Sequence, residues 1–233
     1  MWNGKKKAIT FSFDDGVTQD VRLIAILDRY GLKATFNLNS GSLGRPDSFE
    51  HEGKIIIRNK NRPSEVKEIY KNHEVACHTV THTNLTTVSD DTIVLQVNAD
   101  RDLLEQLSGQ PVIGLAYPCG GVNNNDHVAE VVKTQTKIAY ARTTTSTHAF
   151  NLPKNPWRWD PSIYWMEKRE LILETVRRFL ESKSDEPQLL YIWGHAYEMD
   201  YDPTFDAWFE DLCKMLGNRD DIFYGTNREI LGV

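Results

Sequence analysis

The chain has 233 residues, a formal net charge of −6 at pH 7, 40% hydrophobic residues and 26% charged residues. This is the composition of an ordinary globular protein, and it excludes the disordered, collagen-like and coiled-coil classes. The acidic balance does not attract nucleic acid or an anionic membrane, and no stretch has the length and hydropathy of a transmembrane segment. We therefore expect neither as a partner.

Short apolar runs alternate with helical patterns along the whole chain. The predicted strands are rich in β-branched and aromatic residues and lie at Lys7–Phe13, Ala34–Leu38, Glu74–Cys77, Ile113–Ala116, Ile138–Arg142, Leu189–Trp193 and Ile222–Tyr224. The predicted helices have apolar residues at helical spacing and lie at Val21–Tyr30, Ser64–Asn72, Thr92–Ser108, Asp126–Thr136, Lys168–Ser182 and Phe205–Leu216. This alternation predicts an α/β fold, a distorted (β/α) barrel with about seven parallel strands in a single domain, residues 1–233.

Two irregular stretches interrupt the alternation. Gly41–Asn61 is rich in glycine, asparagine and charge, and we interpret it as an insertion with a small hairpin around Ile55–Ile57. Asn151–Trp165 contains three prolines and three tryptophans. Neither stretch has the composition of a domain linker.

The cysteines and the beginning of the chain bear on location. Cys77, Cys119 and Cys213 are odd in number and widely spaced, so they predict no disulfide framework and favour a reducing compartment. The basic residues near the start lead into a segment too short and too polar for a signal peptide. We therefore expect a cytoplasmic location, while the oligomeric state cannot be read from the sequence.

Polar residues follow several predicted strands at the point where each strand ends. Asp14 and Asp15 follow the first strand, and His78 follows the third, with His82 four residues later. His195 follows a late strand. Because the active sites of parallel α/β proteins collect at the carboxyl ends of the strands, we expect these side chains to converge.

Two histidines and one aspartate form a ligand set suited to zinc or another divalent transition metal. Such a site activates water, and a second carboxylate beside it can act as general base. Each feature is weak alone: an Asp-Asp-Gly triplet is commonly a turn, a lone histidine is commonly a core residue, and this histidine pair lacks the glutamate of a zincin helix. Their joint occurrence at strand ends favours a metal site.

These motifs resemble those of the polysaccharide deacetylases with the NodB homology domain, carbohydrate esterase family 4. Residues Thr10–Gly16 match the family's T-F-D-D-G motif, and His78–His82 match its H-[ST]-x-x-H motif. The resemblance runs from residue 7 to about residue 225 and implies a distorted (β/α) barrel.

The resemblance also implies a role for each residue of the predicted site. It implies a divalent metal ion, for which we expect zinc, bound by Asp15, His78 and His82. It implies Asp14 as the catalytic base and His195 as the catalytic acid.

The third motif of the family, R-x-P-[YF]-G, is altered in this chain to the sequence Ala116–Gly120. The proline and the glycine are kept, so the resemblance implies that the backbone N–H of Cys119 holds the oxyanion. We expect Tyr117 and Pro118 to contact the substrate.

The arginine that holds the catalytic base in the family is replaced by Ala116, and the fourth motif, D-x-x-D-W, has no clear counterpart. The loss of the third-motif arginine together with the fourth-motif aspartate is physically consistent, because a buried charge without a partner is costly. Arg142 or Arg158, which follow other strands, could take the place of the missing arginine.

Several further residues have two open interpretations. Trp193 is expected to form a wall of the site because it lies beside His195. Four other aromatic residues could face sugar rings or pack in the core, namely Trp157, Trp159, Tyr164 and Trp165. Glu198 and Asp200 could bind substrate hydroxyls or lie in a solvated loop.

The function that we expect is metal-dependent removal of acetyl groups from N-acetylated amino sugars. Two alternatives remain: a related amide hydrolase acting on a small substrate that is not a carbohydrate, and a non-catalytic barrel that binds sugar. Release of acetate from N-acetylated sugars would separate an enzyme from a binding protein.

Overall fold

The computed structural model describes residues 1–233. Its strands are β1 (Lys7–Asp14), β2 (Ala34–Leu38), β3 (Ser48–His51), β4 (Lys54–Ile57), β5 (Glu74–Cys77), β6 (Gly114–Ala116), β7 (Tyr140–Arg142), β8 (Ile163–Tyr164), β9 (Gln188–His195) and β10 (Ile222–Tyr224). Its α-helices are α1 (Asp20–Arg29), α2 (Val66–Ile69), α3 (Asp90–Ser108), α4 (Asp126–Gln135), α5 (Arg169–Glu181), α6 (Phe205–Leu216) and α7 (Asn227–Leu231). None of these helices is long and apolar enough to cross a lipid bilayer.

Seven parallel strands curl into a half-barrel in the order β7-β6-β5-β2-β1-β9-β8. The strand β10 pairs with the beginning of β1. Trp159 lies in the opening between the two edge strands, β7 and β8. Its backbone N–H donates to the Ala141 carbonyl, and its carbonyl accepts from the Thr143 N–H, so these hydrogen bonds partly close the barrel. The predicted distorted barrel is confirmed.

Side chains alternate between the outside and the inside of the curled sheet, as the pleat requires. In β1, Ile9, Phe11 and Phe13 point outward into an apolar cluster of 46 buried residues between the sheet and the helices. Thr10 and Asp14 point inward, and the lower interior is filled by a separate cluster of seven residues around Tyr140, Trp159 and Tyr191. The inner face is therefore the more polar one, and its polar side chains reach both ends of the barrel.

The lower end of the barrel is covered by α7. Asn227 donates from its backbone to Thr35 and from its side chain to Tyr191, and it accepts from Thr10, at 2.6–3.0 Å. Glu74 accepts hydrogen bonds from Thr35 and from the Tyr140 hydroxyl beside it. The two ends of the chain meet here, since the Trp2 indole donates to the Ile230 carbonyl at 3.0 Å.

The predicted element bounds hold with few exceptions. The helix expected over Ser64–Asn72 is a 3₁₀ turn followed by the short α2, because the backbone leaves helical geometry at Tyr70. The sequence prediction did not include β8, which has too few residues to show a period, or α7. For α7 a signal existed, because Thr226 and Glu229 form a capping box.

The insertion expected at Gly41–Asn61 contains the hairpin formed by β3 and β4. The hairpin lies beside the turn that follows β9, where the Phe49 ring packs edge-on against the Tyr197 ring at 5.5 Å. The Lys54 ammonium donates to the carbonyl of Tyr201 in the same turn. The insertion therefore forms part of the upper rim of the barrel.

Candidate functional site

The three predicted metal ligands, Asp15, His78 and His82, converge above the carboxyl ends of β1 and β5. The Nε2 atoms of His78 and His82 lie 4.0 and 3.7 Å from Oδ1 of Asp15. The three potential ligand atoms all lie within 4.8 Å of one another. Two imidazole nitrogens and one carboxylate oxygen suit a divalent transition metal and leave coordination positions open.

The surroundings of His78 favour the form that binds a metal. Its Nδ1 donates to the Ala116 carbonyl at 2.8 Å, so the lone pair of Nε2 faces the site. Burial lowers the pKa of His78 to about 4, against the opposing effect of Asp14. The ring is therefore neutral at neutral pH, as a ligand must be.

Asp14 is buried beside the ligands and is held by an arginine from another strand. The Nη2 atom of Arg142, at the end of β7, donates to both carboxylate oxygens of Asp14, at 2.6 Å for Oδ1. Asn37 donates to the same Oδ1 at 2.8 Å. Burial alone would raise the pKa of Asp14, but Arg142 and the nearby histidines outweigh it and hold this pKa below its ordinary value.

Arg142 thus occupies the role left open by the altered third motif. Arg158, the other candidate, instead donates to Asn124 and Asp126 at 2.9 and 2.6 Å, away from Asp14. The guanidinium of Arg142 also lies 4.6 Å from the Trp193 ring, which covers it from the cavity side.

His195 faces Asp14 across the site and is held by Glu198. Its Nδ1 lies 2.9 Å from Oε1 of Glu198, its backbone N–H donates to Oε2 at 2.8 Å, and its Nε2 lies 3.9 Å from Oδ2 of Asp14. Desolvation lowers the pKa of His195, but Glu198 and Asp14 outweigh it and raise this pKa to about 9. The imidazole is therefore protonated at neutral pH.

The interpretations of Glu198 as a solvated loop residue or a ligand for substrate hydroxyls are wrong. Glu198 is 2% exposed, and its carboxylate also accepts hydrogen bonds from the Tyr164 hydroxyl and the Trp165 indole. A Cβ atom at Gly194 would lie 2.1 Å from the Trp165 indole nitrogen, so the glycine makes room for this contact. The sequence did contain an indication of this position, because Glu198 lies three residues after His195, and the two residues form a capping box.

Asp15 has a cationic neighbour that the sequence did not indicate. The ammonium of Lys60, at the end of the insertion, lies 3.7 Å from Oδ1 of Asp15, and both side chains are buried. Burial raises the pKa of Asp15, but Lys60 and the histidines outweigh it and hold this pKa well below its ordinary value. The same oxygen therefore faces a lysine and the two histidines.

The backbone of the site adopts an uncommon conformation. Asp15, Thr79, His82 and Cys119 have φ angles between 56° and 83°, in the left-handed region that non-glycine residues seldom occupy. Such conformations cost about 1–3 kcal/mol each and cluster at functional sites. Their concentration at the strand exits is an independent indication of function.

A cavity of about 360 Å³ opens above these residues. Tyr117, Cys119 and Trp193 line it, whereas Pro118 does not. The hydroxyl of Tyr117 is used to donate to the Trp157 carbonyl at 2.8 Å. The Cys119 N–H has no acceptor in the protein. The Cys119 thiol lies 3.8 Å from Nδ1 of His82.

The remaining aromatic candidates divide between the cavity and the core. Tyr164 lines the cavity and stacks on Trp193 with 4.5 Å between ring centroids. Trp159 and Trp165 are buried in the two apolar clusters. The Trp157 indole donates to the Ile138 carbonyl outside the site.

The other candidate side chain, Asp200, binds Gln19 and Arg22 at the surface. Three further lining residues were not expected from the sequence, namely Arg58, Thr144 and Tyr197.

Comparison with known proteins identifies the family. The family model described as polysaccharide deacetylase matches residues 2–139, which is more than half of the chain and includes Asp14, Asp15, His78 and His82. No curated protein matches the chain significantly.

Solved structures support the same fold at low sequence identity. The peptidoglycan deacetylase PdaC from Bacillus subtilis is 19% identical with a TM-score of 0.55, over 97% of this chain and 91% of that chain. A family 4 acetyl xylan esterase from Clostridium thermocellum, solved with a cobalt ion, is 14% identical with a TM-score of 0.59, over 97% and 91%.

The similar structures also include a protein described as a pseudoenzyme. A CE4-family pseudoenzyme from Bacillus anthracis is 18% identical with a TM-score of 0.57, over 97% of this chain and 66% of that chain. The matched sequence and the shared fold show that this chain belongs to the polysaccharide deacetylase (CE4/NodB) family.

Proposed function

We propose that this protein is a metal-dependent hydrolase that removes the acetyl group from N-acetylated amino sugars. One observation supports it above all: a buried carboxylate that is not a ligand, Asp14, and a protonated histidine, His195, both face the Asp15–His78–His82 cluster. A sugar-binding protein has no need of a base and an acid beside a metal site.

The residues present fit a divalent metal ion. Asp15, His78 and His82 would hold it, because their ligand atoms converge and the outer nitrogen of His78 is already hydrogen-bonded. When bound, such an ion polarises the acetyl carbonyl and lowers the pKa of the attacking water. We propose zinc from the nitrogen and oxygen donor set.

Asp14 is the proposed general base. Its pKa lies below the ordinary value, so it is ionised at neutral pH and can accept a proton from water as the O–C bond forms. The hydrogen bonds from Arg142 and Asn37 fix the carboxylate so that it does not swing toward the metal ligands.

His195 is the proposed general acid. An amide nitrogen leaves poorly as an anion, so the proton on Nε2 is transferred to nitrogen as the C–N bond breaks. Glu198 binds Nδ1 and thereby directs the proton on Nε2 toward the cavity. The products are acetate and the free amine.

Cys119 is proposed to stabilise the developing negative charge on the acetyl oxygen. Its backbone N–H has no acceptor in the protein, and the residue lines the cavity. A backbone donor fixed in this position costs little reorganisation when charge develops. Trp193, Tyr117 and Tyr164 supply apolar surface beside it.

The test is release of acetate from a series of N-acetylated sugars, beside simple amides, with a divalent metal added. Asp14→Asn keeps the shape of the side chain but removes the base. It should keep the metal and lose activity by about 10²–10⁴-fold. Asp15→Asn is the matched variant, and it should lose metal affinity as well.

Two results would contradict the proposal. Full activity of Asp14→Asn would exclude its role as base. Absence of acetate release from every sugar and amide by metal-loaded wild type would instead favour a non-catalytic, sugar-binding barrel.

A further inference from the structure

The insertion hairpin is fixed against the turn that carries the catalytic acid. His51 stacks on Tyr201 with 3.8 Å between ring centroids, and Gln19 bridges the Ile57 carbonyl and Asp200 at 2.5 and 2.6 Å. These contacts are in addition to the packing of Phe49 against the same turn. The hairpin therefore holds a defined position relative to His195.

Arg58 follows the hairpin directly and lines the same cavity as the metal ligands. Its guanidinium carbon lies 4.9 Å from the Phe49 ring centroid and 5.7 Å from that of Tyr197. The Tyr197 ring in turn lies 5.0 Å from the His195 ring. The guanidinium of Arg58 thus lies beside two aromatic rings, and one of these rings, Tyr197, also packs against the catalytic acid His195.

The guanidinium has spare capacity to bind a ligand. Its closest polar contact is from Nε to Oδ2 of Asp47 at 2.7 Å, and its side chain is 32% exposed. Neither Nη1 nor Nη2 forms a hydrogen bond to the protein, and Arg58 is the only arginine or lysine among the residues that line the cavity. Asp14 and Asp15, the carboxylates that line the cavity, already contact Arg142 and Lys60.

We infer that Arg58 is a specificity-determining residue that binds an anionic oxygen group, a carboxylate or a phosphate, on the N-acetylated sugar. This inference rests on the proposed function, because it places the acetamido group at the metal cluster and the anion at the rim. A guanidinium fork matches both carboxylate and phosphate oxygens, which a neutral rim would leave unpaired.

Asp47 provides an internal control for this inference. Its carboxylate contacts Nε of Arg58 and is not among the groups that line the cavity. The negative charge of Asp47 therefore weakens the attraction of the guanidinium for an anionic substrate group. Asp47→Asn removes that charge and should strengthen binding of anionic sugars, which is the opposite direction from loss of Arg58.

The experiment measures binding by calorimetry to metal-loaded Asp14→Asn, so that turnover does not interfere. The probes are N-acetylglucosamine, its 6-phosphate and N-acetylmuramic acid, which are neutral, phosphorylated and carboxylated. In this background, Arg58→Met should lower the ratio of anionic to neutral affinity by about 10–100-fold. Arg58→Lys should restore part of that ratio, and Asp47→Asn should raise it.

The outcomes separate the two ideas. If Arg58→Met leaves the ratio unchanged, or if both anions bind more weakly than the neutral sugar to the parent protein, the inference is wrong. A third outcome is that the affinities follow the expected order but the wild-type protein releases no acetate from any sugar. This result would overturn the proposed function, whereas the anion site at Arg58 would stand. A preference for the phosphorylated or for the carboxylated probe identifies which of these two anionic groups Arg58 binds.

Discussion

The two ends of the barrel both contain buried polar side chains, and they use them differently. At the lower end, the carboxylate of Glu74 accepts from Thr35 and Tyr140, and Asn227 has a partner for each polar atom named above. At the upper end, the ligand atoms of Asp15, His78 and His82 lie within 4.8 Å of one another, and Oδ1 of Asp15 also faces the Lys60 ammonium.

Burying polar groups is costly unless each one has a partner. The lower cluster meets this requirement with protein groups alone, so its polar residues serve the fold. In the upper cluster, the buried His78 and Asp15 and the partly exposed His82 bring two imidazole nitrogens and a carboxylate oxygen together, and a cation would satisfy all three. Polar burial alone therefore does not identify a site, whereas the convergence of metal-ligand atoms does.

The largest expected effect is at the upper end. His78→Ala and His82→Ala each remove one of three ligands, so metal affinity should fall by at least about 100-fold, with loss of activity. Elemental analysis after dialysis measures the metal. Full occupancy in both variants would exclude the assigned site, and Glu74→Gln serves as a control at the lower end that should retain the metal.

Glu198→Gln should change the pH dependence of activity. The negative charge of Glu198 contributes to the raised pKa of His195, about 9, so its loss should lower that pKa. Activity requires the protonated acid, and the falling limb of the pH–rate profile should therefore move to lower pH, with about a 10–100-fold loss of rate near pH 8. A uniform loss at all pH values would mean that Glu198 acts only on stability.

Asn227→Ala tests the lower end. It leaves Thr10 and Tyr191 without their partners, so the free energy of unfolding should fall by about 1–3 kcal/mol. Denaturant unfolding monitored by circular dichroism measures the loss. The metal affinity should not change, and a change would show that the two ends are coupled.

The smallest expected effect concerns Lys60. Its ammonium faces the oxygen of Asp15 that would bind the metal, so Lys60→Met should raise metal affinity by about three- to tenfold. Competition with a chelator of known affinity measures the change, with Lys60→Arg as the control that keeps the charge. A weaker affinity in Lys60→Met would mean that the lysine positions Asp15 for the metal.

Much of the fold was readable from the sequence because the outward face of each strand is apolar and glycine or proline marks many of the boundaries. The convergence of Asp14, Asp15, His78 and His82 could be expected because all four follow parallel strands. The cytoplasmic location and the choice of zinc stay predictions.

The supporting residues were harder to predict. Arg142 could only be named as one of two arginines, because sequence spacing does not reveal which strand exit faces Asp14. Arg58 and Lys60 belong to an irregular insertion without periodicity, so their positions depend on how the hairpin docks. Glu198 was misjudged because its charge suggested solvent, whereas four hydrogen bonds compensate its burial.

The contact between Trp2 and Ile230 has a practical consequence for how the protein can be handled. Both ends of the chain lie at the lower rim, while the cavity opens at the carboxyl ends of the strands on the opposite side. A tether at either end would hold the protein with its cavity facing away from a bead or sensor surface. The cavity of the immobilised protein should therefore remain accessible to large ligands, and a short linker joining the two ends would allow new ends to be opened in a surface loop.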